Sequence, residues 1–161
     1  MIRRFFSALL ACACTALPVT ASSADAAPSY GQELAQVYGT YQAVVARREA
    51  CNEALPGMKA NTEKSYTAWR NRNAKTVAEL DERLGRMIRG ASKDDKEYAR
   101  NIGKYEGAML QQRNDVKRAL LAQPREELDA LCKTLPDFLS SKESDLESLY
   151  AEELKSIRSR R

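Results

Sequence analysis

Histidine is absent from all 161 residues. Its absence excludes serine–histidine and cysteine–histidine nucleophiles, histidine-ligated haem and the Glu-x-x-His di-iron pattern of helical bundles. Cysteine is scarce: of four, Cys12 and Cys14 fall in the first 26 residues, leaving Cys51 and Cys132. Two isolated thiols without histidine make a poor zinc cage, and they lie too far apart for a Cys-x-x-Cys redox pair. Beyond residue 26 there is no Gly-x-Gly-x-x-Gly or Gly-x-x-x-x-Gly-Lys phosphate loop. No run of alternating β-branched residues occurs either, nor a hairpin turn between two such runs. All-α is the one fold class the pattern supports.

What the front end does carry reads as a secretion signal. Arg3 and Arg4 supply a positive start, Phe5 through Leu17 an apolar run too short to span a bilayer, and Ala24-Asp25-Ala26 small residues before a cut. Residues 1–26 are therefore expected to be a cleavable signal peptide, and 27–161 a single helical domain in the periplasm or outside the cell. Pro18 interrupts the run early, which disfavours a retained anchor helix. The alternative is a lipid anchor on Cys12, read from Leu9-Leu10-Ala11-Cys12, although the apolar run before it is short. In an oxidising compartment an even pair of cysteines becomes a disulfide, so Cys51 is expected to bond Cys132.

Charge is close to balanced. Removing Arg3, Arg4 and Asp25 from the full-chain +4 leaves +3, and a basic C-terminal tail, residues 155–161, holds Lys155, Arg158, Arg160 and Arg161. A nucleic-acid binder carries its basic face on the folded part, so no nucleic-acid partner is expected. The tail allows at most weak contact with an anionic membrane surface.

Leu34, Val37, Tyr41, Val44, Arg48, Cys51 and Leu55 recur at steps of three and four, one stripe along a helix. Ser29 and Gln32 form a capping box before it, and Pro56-Gly57 ends it. A second helix is expected to run unbroken to about Ile88, striped by Tyr66, Trp69, Asn73, Thr76, Leu80, Leu84 and Met87. Gly90 closes it, and Ser92 is expected to cap a third, roughly residues 93–122. That helix carries Tyr98, Ile102, Tyr105, Met109, Gln112, Val116 and Leu120 on one side. Gly103 and Gly107 share a face, read as admitting a neighbouring backbone. Pro124, Glu126 and Glu127 suit the start of a fourth helix, which Pro136 is expected to kink or break. The remaining segment turns Leu139, Leu146, Leu149, Tyr150, Leu154 and Ile157 inward, and Ser156 to Arg161 are expected to fray.

The expected architecture is an antiparallel up-down-up-down four-helix bundle. In that topology the end of the first helix and the start of the fourth share a pole, which places Cys51 beside Cys132. Extended helical hairpins, about 45 Å long for about 30 residues, are the alternative.

Four local features bear on function. Tyr66, Trp69, Arg70, Arg72 and Asn73 form a candidate interaction surface, since Trp, Tyr and Arg dominate interface hot spots. Core anchoring by Trp69 is the competing reading. Arg83, Arg86 and Arg89 form a basic ridge that, with the C-terminal arginines, suits an anionic envelope lipid or an acidic partner; compensation of the helix-end dipole is the competing reading. Tyr38 and Tyr41 flank Gly39 and line either a small apolar pocket or plain core. Arg48, Asn73 and Gln112 interrupt apolar stripes and are expected to fix helix register. No metal, cofactor or catalytic residue is expected. The leading function is a non-catalytic exported binding or accessory protein, chaperone-like or scaffolding, whose partner is another envelope protein. An inhibitor or immunity-type partner of one envelope enzyme or toxin is the alternative, and a carboxylate-based hydrolase a distant third.

Overall fold

The computed structural model describes residues 29–160, all of whose regular structure is helical. The expected signal peptide, residues 1–26, and the alternative anchor at Cys12 lie outside the described residues. Seven α-helices follow one another: α1 Tyr30–Ala54, α2 Lys59–Arg72, α3 Ala74–Gly90, α4 Asp95–Leu121, α5 Arg125–Ser140, α6 Leu146–Leu149 and α7 Ala151–Ser159.

Helix α1 begins as its sequence dictates. The Ser29 hydroxyl accepts from the Gln32 amide, and the Gln32 side chain accepts from the Ser29 amide in return. Pro56–Met58 forms a single 3-10 turn at its far end. Cys51 and Cys132 are bonded, with Cα atoms 5.2 Å apart, tying the end of α1 to the first turns of α5. Around that bond lie Val44, Val45, Tyr66, Trp69, Leu128, Leu135, Leu139 and Leu146, all buried. A second apolar cluster, Leu34, Val37, Leu80, Leu154 and Ile157, fills the opposite end of α1.

Several expectations need correction. The second helix is not continuous: it divides into α2 and α3 at Asn73. The cause is a buried polar side chain. Asn73 donates to the Trp69 carbonyl at 3.0 Å and accepts the Leu146 amide at 2.9 Å, so it serves the C-terminal segment as well as its own helix. The inward stripe then ends on Ile88, while Met87 is 36% exposed. Helix α5, by contrast, passes through Pro136 without a break and stops at Ser140. Proline removes one amide donor there, and burial of Pro136 among Leu135 and Leu139 offsets the loss. Asp94, not Ser92, caps α4 by accepting from the Glu97 amide at 2.7 Å. Ser92 instead donates back to the Ile88 carbonyl.

Helix α4 lies alongside α1. Tyr38 meets Tyr105, Glu49 pairs with Arg113 and Glu53 with Lys117, so the two helices run in the same direction. Yet α4 contributes no buried residue. Gly103 and Gly107 face open space, and a methyl group at either would meet nothing within 4 Å among the described residues, none of whose backbone packs there. Leu149, expected inward, is 50% exposed because the chain turns at Tyr150 between α6 and α7. The last residues do not fray from Ser156: α7 continues to Ser159, with Leu154 and Ile157 fully packed.

Candidate functional site: an arginine-lined cleft

Helix α7 lies against α1 because Leu154 and Ile157 complete the cluster of Leu34, Val37 and Leu80. That packing carries the basic C-terminal residues to the end of α3. An open cleft of about 650 Å³ results, lined by Tyr30 of α1, Arg83, Arg86 and Met87 of α3, and Arg158 and Arg160 at the chain's end. Two features separate in the sequence, the basic ridge and the basic tail, meet here.

The four guanidiniums do different work. Arg83 is largely enclosed: it pairs with Glu79 at 2.9 Å and donates to the carbonyls of Ile157 at 2.7 Å and Arg160 at 3.2 Å. Those carbonyls belong to the last turn of α7 and the residue beyond it, where intrahelical donors run out, so Arg83 closes that end from outside. Burial works to lower its pKa, but Tyr30 and Glu79 beside it outweigh this and hold the guanidinium charged. Arg158 is likewise committed, reaching Glu147 at 2.6 Å and Glu79 at 2.9 Å. Its hydrogen bonds to Glu147, then Glu79, raise its pKa further. Burial alone would raise the Glu79 pKa, but hydrogen bonds from Arg158 and Arg83 overcome it and keep the carboxylate ionised. Glu147 is pulled down chiefly by its hydrogen bond from Arg158, aided by Thr76.

Arg86 and Arg160 are held more loosely. Among the described residues Arg86 pairs only with Glu82, one turn away on an exposed face, a contact worth little in water. Arg160 lies 3.5 Å from the buried carboxylate of Glu33, which also accepts from Ser156. Each guanidinium carries five N–H donors in a planar fork, so both keep donors for a ligand. Arg89 stands apart, over the Tyr98 ring and paired with Asp95.

The other sequence-derived candidates fall elsewhere. Trp69 is fully buried, stacks on Tyr41 and donates its indole N–H to the Ser144 carbonyl at 2.7 Å. Tyr66 and Asn73 are buried too, which leaves Arg70 and Arg72 as the exposed members of that group. Arg72 pairs with Asp145 and donates to the Leu139 carbonyl, bracing the α5–α6 turn. Tyr38 borders a cavity of about 160 Å³ with Tyr105, Met109, Leu110 and Arg113, small beside the roughly 300–1,000 Å³ usual for ligands. Burial raises the phenols of Tyr66 and Tyr105 to about 12, and that of Tyr38 further, with Asp81 adding to the last. Arg48, Asn73 and Gln112 lie at separate places: Arg48 over the Tyr66 ring, Asn73 beside Trp69, Gln112 near Gly39. Among the described residues no group of three or more Cys, Asp or Glu side chains stands close enough to hold a metal ion. No helix among them is long and apolar enough to cross a membrane.

Sequence reasoning missed Tyr30, Glu33, Glu79, Met87 and Glu147 as parts of this site. Glu79 and Arg83, four apart, were legible as a pair; the partners from α1 and α6 left no local signal. Comparison of the chain with protein-family models, curated proteins and solved structures found no match.

Proposed function

We propose that this chain is a small exported, non-catalytic accessory protein that grips an acidic feature of another envelope protein in the arginine-lined cleft. One observation carries the reading: basic groups from α3 and from the chain's end surround a single opening, and two of them, Arg86 and Arg160, keep donors free. Export rests on the signal-like residues 1–26 and on the paired cysteines, which suit an oxidising compartment. In this reading the helices act as an up-down-up-down bundle, with α2 and α3 as one descending arm and α5 to α7 as the other.

A specific partner is favoured over a general chaperone role. Holding unfolded clients calls for a broad apolar face, whereas the exposed large apolar residues among those described, Met87, Leu110 and Leu149, sit on three different helices. The non-catalytic reading is supported by the carboxylates at the cleft: Glu79 and Glu147 are held ionised by arginines rather than poised as acids.

Cross-linking and pull-down from periplasmic extract test the proposal. The native chain should retain one partner, and the Arg86→Glu/Arg160→Glu double variant should lose it while keeping its helical circular dichroism. Equal retention by the variant would remove the cleft from the account. Suppressed aggregation of several unrelated unfolded proteins would favour the chaperone role instead.

A further inference from the structure

The lining of the cleft narrows what it accepts, given the binding role proposed above. Arg83 and Arg158 are bound to Glu79, Glu147 and main-chain carbonyls, so they form its fixed wall. The donors open to a ligand are those of Arg86 and Arg160, and the apolar lining beside them is Tyr30 and Met87. A matching ligand presents an anion and an apolar group close together.

A surface acidic side chain meets that demand only through a second residue that supplies the apolar group. On a helix that second residue must lie three or four positions away, and along a strand two, so anion and apolar group stand on separate residues. A chain end differs: its α-carboxylate is attached to the same Cα as the last side chain, and terminal residues are usually free to enter a cleft. A carboxylate also has two oxygens, each able to accept from one guanidinium fork. The volume of about 650 Å³ gives room for a few residues.

We infer that the cleft takes the C-terminal end of its partner's chain, with the free α-carboxylate between Arg86 and Arg160 and an apolar last side chain against Tyr30 and Met87. The terminus then provides charge and apolar contact at one point, and Met87, displaced from the core stripe, becomes part of the binding floor.

Fluorescence anisotropy with the full oxidised mature chain tests this. The probes are a labelled hexapeptide of Gly and Ser ending in leucine with a free carboxylate, the same peptide amidated, the same ending in serine, and an amidated peptide with an internal aspartate followed by leucine. The free-carboxylate leucine peptide should bind. Amidation, or Arg86→Gln or Arg160→Gln in the protein, should each weaken it by about tenfold or more, the scale of a lost charge-assisted hydrogen bond. Replacing leucine by serine should weaken it less.

Equal binding of the amidated peptide, or indifference to both arginine variants, would refute the terminal-carboxylate site. Preference for the internal aspartate would refute it in favour of an acidic segment. Arginine-dependent binding of phosphatidylglycerol vesicles, with no peptide binding, would refute it in favour of a lipid surface. If no peptide binds yet the double charge reversal still abolishes partner retention, the chain-end reading falls and the cleft remains. If retention is indifferent to charge reversal, both fall.

Discussion

Asn73 shows how much one side chain governs here. At 1% exposure it donates to the Trp69 carbonyl and accepts the Leu146 amide, joining the α2–α3 break to the start of α6. Asn73→Ala strands the buried Leu146 amide, so a loss of about 1–3 kcal/mol is expected in denaturant unfolding. Gly107 is the opposite case. It sits mid-helix in α4 with open space where a Cβ would go, so Gly107→Ala should stabilise the fold by about 0.5–1 kcal/mol. A destabilised Gly107→Ala would mean something packs on that face after all. From sequence, two glycines four apart on one face are equally consistent with contact and with exposure, because spacing fixes the side of a helix but not what stands opposite it. Trp69 posed the same ambiguity between anchor and interface, and its buried indole bond to Ser144 belongs to a residue far along the chain.

At the scale of elements, the disulfide and α4 mark the extremes of constraint. Cys51 and Cys132 stand 81 apart in sequence, so their bond removes considerable freedom from the unfolded chain. The chain-entropy model assigns such a loop on the order of 4 kcal/mol, and Cys51→Ala/Cys132→Ala should lose a large share of it, seen as a lower denaturation midpoint. Helix α4 has half-buried contacts to α1 and nothing fully enclosed. Its amides should exchange with deuterium faster than those of α1, α3 and α5, by local opening rather than global unfolding. Protection in α4 equal to that in α1 would contradict this. The stripe through Tyr98, Ile102, Tyr105 and Met109 correctly marked a helix, but periodicity reports only that one side is apolar. How deeply that side is covered depends on neighbours. Helix α4 packs mainly along α1, with the end of α3 on another flank, and of its residues Leu121 alone reaches the buried cluster around the disulfide.

For the whole molecule, alkaline pH is the revealing variable. The phenols of Tyr66 and Tyr105 have an ordinary value of 10.0 and are raised to about 12 by burial. Above pH 10 the unfolded chain therefore releases protons that the native state retains. The native state binds more protons, so stability falls as pH rises from about 10 to about 12 and is unaffected by these groups below that window. Unfolding midpoints measured across the range, with absorbance of the ionised phenol followed in parallel, check the sign: ionisation should accompany unfolding, not precede it.

The sequence by itself determined the helical class, the limits of α1, the partnership of Cys51 with Cys132 and the basic character of both the α3 ridge and the chain's end. Each of these follows from local chemistry: caps, breakers, a period near 3.6 and the two thiols that remain once residues 1–26 are set aside. Only the tertiary structure decided that Asn73 and not Pro136 divides a helix, that α4 stays outside the core, and that Arg83, Arg86, Arg158 and Arg160 line one opening. Those outcomes depend on which buried polar groups find partners and on which apolar faces meet across long stretches of chain, and no window of neighbouring residues contains that information.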